Sequence, residues 1–301
     1  MNIRVADSSS SNNFTSRINA QRNRLNILQE RLATGKRINR PSDDPSGTEI
    51  VLNLRTSQTQ IEQFQRSAEA VSQKLTAADD TLSGYENILD RVRTLVSQGM
   101  TGTATQQVKN AVATEIESLR SRLLSIANTK NGDQYVFGGT RQNAPPYDPT
   151  TGVPANTPAS VQFVQIEPGA NAVASGVTAE TVFGDSNSTI FNDLTNAVNA
   201  LRGTGNQAAD DLTLQNTMNR LIVYSDLAAT AHATIGANMN AAEVAYDSLT
   251  SSFLSLDERA SAIENADFAE TAVGLADAER ALEATLQVAA RGRRSLFDFL
   301  G

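Results

Sequence analysis

Residues 50–96 read IVLNLRTSQTQIEQFQRSAEAVSQKLTAADDTLSGYENILDRVRTLV, and their spacing decides the fold. Alternating steps of four and three select Ile50, Leu54, Ser57, Ile61, Phe64, Ala68, Val71, Leu75, Ala78, Leu82, Tyr85, Leu89, Val92 and Val96, with Ser57 the only polar member. A repeat of about 3.5 residues held this long is a coiled-coil stripe, narrower than the apolar face of an ordinary globular helix. At about 1.5 Å per residue the helix would be about 70 Å long, longer than a small domain is wide. It needs partners along its whole length, which suits a building element better than a catalytic cleft.

The same pattern recurs towards both chain ends. Phe14, Ile18, Gln21, Leu25, Leu28 and Leu32 form a shorter seam, closed by Gly35 and by residues 39–45, NRPSDDP. Arg40 precedes a proline and is biased away from helix. Asp44 can cap the next helix with Pro45 at its first position, while Ser46 and Glu49 offer a competing capping box. A Gly/Thr turn at residues 99–105 precedes a second helix striped by Val108, Val112, Ile116, Leu119, Leu123 and Ile126, which can fold back as an antiparallel partner. Asn131-Gly132-Asp133 is a turn, and residues 134–137 predict a short strand.

From residue 140 to 187 the composition shifts to Pro, Gly, Thr, Asn and Val, and residues 161–166, VQFVQI, are its best strand. Helical pattern resumes near Ser188 and continues, past a Gly203-Thr204-Gly205 turn, through an Ala-rich stretch to about Glu264. Asp267 with Glu270 starts a last helix. Its stripe is Phe268, Ala272, Leu275, Glu279, Leu282, Leu286, Ala289, Arg293, Leu296 and Leu300, with Arg291, Arg293 and Arg294 near the end where cations complement the helix dipole.

The expected fold is mainly α: a long antiparallel coiled-coil helical bundle built from both chain ends, with a small β-rich inserted domain. Residues 1–42 and 265–301 are expected to be terminal coiled-coil helices for assembly. Residues 43–139 and 188–264 would form the bundle core, and residues 140–187 an outward insertion. An isolated amphipathic helix is marginal in water, so the terminal helices must pair with each other or with other copies, and are expected to order on assembly.

Composition excludes several classes. The chain has 301 residues, no Cys, no Trp, a single His (His232) and aromatics at 5%. Disulfide frameworks, thiol nucleophiles and thiolate metal sites are excluded. There is no run of about 18 apolar residues, so no membrane insertion is expected. Residues 1–14 lack the apolar core and cleavage site of a secretory signal. Charge is placed unevenly. Residues 1–40 are basic, opposed only by Asp7 and Glu30, and residues 241–280 are acidic, relieved only by Arg259 and Arg280. No nucleic-acid-reading motif accompanies the basic arm, so the two segments read as complementary helix faces.

Catalytic patterns are weak. Residues 203–208 match a GxGxxA fragment without the strand and βαβ unit that dinucleotide binding needs. His232 sits in an Ala-rich helix with no second His or Cys. Asp43-Asp44 reads as a cap, and Asp79-Asp80 as the solvated edge of a seam. No catalytic, cofactor or metal residue is expected, and the chain is not read as an enzyme.

Several motifs in order resemble the flagellin-like family. Residues 32–39, LATGKRIN, are similar to the LSSGxRIN segment of bacterial flagellins. The following RPSDDP resembles the hook–filament junction branch of that family, as do residues 127–130 (ANTK), 135–140 (YVFGGT) and 144–147 (APPY). At the other end, residues 235–237 (IGA) and 295–300 (SLFDFL) fit the same branch. The resemblance covers about residues 14–147 and 230–300.

It implies an extracellular, self-assembling part of the bacterial flagellum at the hook–filament junction, without a cofactor. Its partners would be further copies of itself, hook-associated protein 1 and flagellin. Export would pass through the type III export apparatus without a cleaved signal peptide. A cytosolic flagellar export chaperone would dock on residues 268–300, as a helix in a groove. No nucleic acid is implied. The expected assembly interface is Phe14, Ile18, Leu25, Leu28 and Leu32 with Phe268, Leu275, Leu282, Leu286 and Leu296. Residues 90–98 also resemble the flagellin segment recognised by an innate immune receptor, which shared packing geometry explains. A flagellin is the alternative reading, and a chemoreceptor-like signalling coil a remote one that the absent membrane span and the Pro-rich insertion disfavour.

Overall fold

The computed structural model describes residues 3–155, 159–169, 172–185 and 188–300, with side chains described between Phe14 and Val288. In chain order the elements are α1 (Ile3–Thr34), α2 (Pro45–Gly99), α3 (Gln106–Ala127), β1 (Lys130–Asn131), β2 (Gln134–Tyr135), β3 (Phe163–Val164) and β4 (Val173–Ala174). Then follow α4 (Ala179–Phe183), β5 (Gly184–Asp185), β6 (Ser188–Thr189), α5 (Ile190–Arg202), α6 (Gln207–Glu264) and α7 (Phe268–Leu300). The fold is mainly α, as its helical periodicities predict. The chain forms two compact units, Met1–Gln60 with Ser252–Gly301, and Ile61–Ser251.

In the unit Ile61–Ser251 the α2 seam is the core. Ala68, Val71, Leu75, Ala78, Leu82, Tyr85, Leu89, Val92 and Val96 are all buried. On α6 the same four-three spacing buries Leu214, Thr217, Leu221, Tyr224, Ala228, Ala231 and Ile235. The α3 stripe faces inward from Val112 to Leu123, although Val108 in the first turn is exposed. Thr105 caps α3, its hydroxyl accepting from the Val108 amide. Thr189 caps α5 in the same way, and α5 packs on α3.

The inserted segment is more loop than sheet. Its strands are two residues long and pair as antiparallel hairpins, β3 with β4 and β5 with β6. Aromatic pins from the motif turns hold it instead. Phe137 of YVFGGT and Tyr147 of APPY are fully buried and meet Phe183 edge to face at 5.3 Å and 6.1 Å, while Tyr85 reaches it from α2 at 4.7 Å. The Tyr85 hydroxyl donates to the Val182 carbonyl, and that of Tyr147 to the Gly184 carbonyl. Burial raises both phenols well above their ordinary range, so both stay protonated donors. Gly139 has φ +54°, and a Cβ there would lie 2.4 Å from the Ser160 carbonyl oxygen. Only glycine fits that turn.

In the unit made from both chain ends, α1 packs on α7, and the first turns of α2 lie with the last turns of α6. Here the α2 seam is offset by one residue from the sequence expectation. Val51 and Gln58 are buried, whereas Ile50 is 47% exposed. A straight helix of about 3.6 residues per turn drifts against a 3.5 repeat. Gln58 also has a polar partner to bury against: its amide donates to Asp257 Oδ1 at 3.2 Å.

Candidate assembly interface

The segment LATGKRINRPSDDP forms a clasp rather than a plain linker. Gly35, at φ +70°, ends α1 with its amide donating to the Arg31 carbonyl at 2.9 Å, a left-handed stop that favours glycine. The chain then crosses the α6–α7 turn. The Arg37 and Ile38 amides both donate to the Glu264 carbonyl, and the Ala266 amide donates back to the Gly35 carbonyl at 2.9 Å. Lys36 and Asn265 form an isolated antiparallel bridge at this crossing.

Side chains reinforce the clasp. Lys36 Nζ lies 2.6 Å from Glu264 Oε1, and Arg55 Nη2 lies 3.1 Å from Glu264 Oε2. Arg55 also pairs with Asp257 at 3.2 Å. Arg37 pairs with Asp44 at 3.1 Å and donates to the Ile263 carbonyl at 2.8 Å. The Lys36 hydrogen bond, helped by that from Arg55, outweighs desolvation and holds Glu264 below the usual carboxylate range.

The two adjacent aspartates divide their work. Asp43 accepts the Asn39 and Arg40 amides, and Asp44 caps α2 through the Gly47 amide at 2.9 Å. Donation by the Arg40 amide first, then that of Asn39, lowers the Asp43 pKa. For Asp44 the Gly47 amide leads and Arg37 follows. Both carboxylates are therefore structural caps. Asp267 does the same for α7, accepting the Ala269 and Glu270 amides at 2.8 and 3.0 Å.

Beyond the clasp, the α1–α7 contact is asymmetric. On α1, the expected Phe14, Ile18, Leu25, Leu28 and Leu32 are each half-buried, as is Gln21 between them. On α7, Thr271 and Ala278 are the buried positions. Leu28 lies over Gly274, where a Cβ would sit 3.6 Å from its nearer methyl carbon. Thus at Leu28 a large residue of α1 rests on the smallest residue of α7. Leu275 and Leu282 are half-buried beside this strip, while Phe268 is 69% and Leu286 44% exposed. Leu296 lies on α7 outside the residues whose side chains are described. Sequence reading missed Thr271, Gly274 and Ala278. They follow a four-three rhythm of their own, but a hydrophobicity pattern selects the larger neighbours. Gln21 Oε1 is shielded from solvent and has no hydrogen-bond partner among the described residues.

The other sequence candidates have structural surroundings. His232 lies 3.7 Å from Asp79 and 3.9 Å from Glu86. Residues 203–208 form the turn before α6, where the Thr204 amide and hydroxyl donate to Asp210. Among the described residues no group of three or more His, Cys, Asp or Glu side chains could hold a metal ion, and no helix is long and apolar enough to cross a membrane.

Long helices paired through their chain ends, with apolar side chains of α7 left partly open, place the chain among mainly α helical-bundle proteins. Residues 5–141 match the bacterial flagellin N-terminal helical region. Among curated proteins, flagellar hook-associated protein 3 of Salmonella typhimurium is 29% identical over 126 residues, 42% of this chain and 40% of that protein. Flagellin of Listeria monocytogenes is 33% identical over 34% of this chain and 36% of its own length. The chain thus spans well under half the length of these curated relatives. Among solved structures, Xanthomonas campestris FlgL superposes with a TM-score of 0.63 at 16% identity, covering 69% of this chain and 99% of that one. Residues 5–141 are thus similar to the flagellin N-terminal helical region, and the fold is shared with the solved FlgL structure.

Proposed function

We propose that this chain is a structural component of the bacterial flagellum that joins hook to filament by self-assembly through its terminal helices, without catalysis. The observation that carries the reading is the open strip of α7. Phe268, Leu275, Leu282 and Leu286 flank the small-residue face that α1 occupies, and they leave apolar area that a further helix would cover. The orphaned acceptor of Gln21 fits the same reading: a polar residue in a seam fixes register and partner. The terminal helices would complete their packing only in the assembled lattice. Neighbouring copies, hook-associated protein 1 and flagellin would supply the missing faces. The strip on α7 also suits an export chaperone before assembly, with passage through the type III apparatus and no cleaved signal peptide.

Leu282→Asp tests the strip. The variant should fold but fail to enter flagella, leaving hooks without filaments and flagellin shed into the medium, as seen by electron microscopy; the variant found in the medium marks lost assembly, and the variant held in the cell marks lost chaperone docking. Normal filaments in cells that carry only this variant would refute the reading. Deleting the gene separates it from the flagellin alternative: a filament subunit among several would leave thinned or shortened filaments, not bare hooks.

A further inference from the structure

A cleft in the unit Ile61–Ser251 has the chemistry of a sugar site. It measures about 240 Å³ and lies between the outer face of α2 and the β1–β2 hairpin with the start of the insertion. That is below the roughly 300 Å³ lower bound of ordinary ligand pockets, so it suits a single ring rather than an extended ligand.

Its polar lining is dominated by side-chain amides, among them Gln73, Gln134, Gln142 and Gln162. Gln142 and Gln162 are half-buried and bonded to each other through one donor and one acceptor. Whichever way the two amides are turned, the pair keeps one spare carbonyl and spare N–H groups. These find no other protein partner among the described residues. An adjacent donor and acceptor match neighbouring hydroxyls of a pyranose. Tyr135 adds a half-buried aromatic wall; the Lys130 ammonium lies 4.7 Å from its ring centroid, which leaves the opposite face for the C–H face of a sugar ring.

The lining holds one formal charge, Lys74. It is half-buried and forms no ion pair among the described residues, although acidic residues outnumber basic ones in the chain, 33 to 25. An ammonium amid neutral amides, with the Lys130 cation behind Tyr135, selects a ligand with negative charge and many hydroxyls.

We propose that this cleft binds a carboxylated pyranose, a hexuronate, with its carboxylate on Lys74 and its hydroxyls on the amides of Gln142 and Gln162 and on the carbonyl of Gln73, whose N–H group donates to Glu69. The cleft opens to solvent, so the same site takes a free uronate or the end residue of an acidic polysaccharide. This site is independent of the terminal-helix interface.

Calorimetry and saturation-transfer NMR on the full chain test it, with D-galacturonate, D-glucuronate and a short oligogalacturonate as probes and D-galactose and acetate as controls. Saturable uronate binding with a Kd of about 1 mM or tighter is expected, weakened about tenfold in Lys74→Gln. Gln73→Ala, an exposed change on α2, should weaken it less. Tighter binding of the oligomer than of the monosaccharide assigns the source to a polysaccharide, and equal binding to the free sugar. No saturation by any uronate up to about 10 mM, equal binding of acetate or of galactose, or unchanged affinity in Lys74→Gln with an unaltered far-UV spectrum would each overturn the proposal.

Discussion

From Ala68 to Val96 every seam residue of α2 is buried within its own chain, whereas the seams of α1 and α7 stay half open. Both follow the same four-three rhythm, so periodicity alone does not separate a finished core from an interface. The difference lies in what faces each seam. The α2 seam is fully buried in a core shared with α3, α5 and α6. Leu28 of α1 lies over Gly274, on a helix whose buried positions are Thr271 and Ala278, and the large residues of α7 lie to one side. Apolar area at the terminal pair is therefore divided between closing the pair and remaining open.

The contrast can be broken by moving a charge between the two seams. Leu82→Asp places a carboxylate at a position with no exposure. It should cost about 4 kcal/mol or more and abolish cooperative melting of its unit. The same change at Leu282, followed by thermal unfolding of the monomer, should cost about 1 kcal/mol or less, because a half-open site keeps its water. Comparable losses at the two positions would show that α7 is as complete as α2.

Acid sharpens the comparison, because the clasp is held by carboxylates and the α2 seam is not. Glu264, Asp43 and Asp44 have pKa values depressed in the folded state. Their contribution is present above the unfolded carboxylate pKa of about 4 and is lost as pH falls through the lower folded values. Hydrogen exchange at the Arg37, Ile38 and Ala266 amides should thus rise below about pH 4 before amides of α2 near Leu82 respond. Glu264→Gln should weaken the clasp at neutrality and make its acid response shallower, because that carboxylate no longer titrates. Simultaneous loss in both regions would remove the distinction. The smallest effect is expected at Gly274. A Cβ added there meets Leu28 only at ordinary contact distance, so Gly274→Ala should stabilise α7 by about 0.5–1 kcal/mol through helix propensity. A lower melting temperature would mean that the α1–α7 contact is tighter than its geometry indicates.

Much of the fold was legible because it rests on regular signals. The caps at Asp44 and Asp267, the turn at residues 99–105 and the stops at Gly35 and Gly203 bound helices that hydrophobic spacing had located. Three things were not legible. The inward face of α7 uses small residues, which carry little hydrophobic signal beside Leu275 and Leu282. The offset at Ile50 and Val51 depends on Gln58 finding Asp257, a partner about 200 residues away in sequence. The insertion is held by Phe137, Tyr147 and Phe183, whose meeting is a tertiary event that no strand pattern announces. The half-buried stripe of α1 could be read from spacing, but which of the α7 residues remain open needed coordinates.

The clasp has a mechanical consequence. At residues 35–38 and 264–266 two strands run side by side, joined by backbone hydrogen bonds and bracketed by the Lys36–Glu264 and Arg55–Glu264 pairs. A tug on α1 or on α7 along its axis is split there between two covalent routes, one into α2 and one into α6. Neither terminal helix can be peeled off singly without shearing those bonds together. Cutting one strand of the pair, by nicking the chain between Arg40 and Asp43, should leave the fold standing but halve the number of routes by which load enters it.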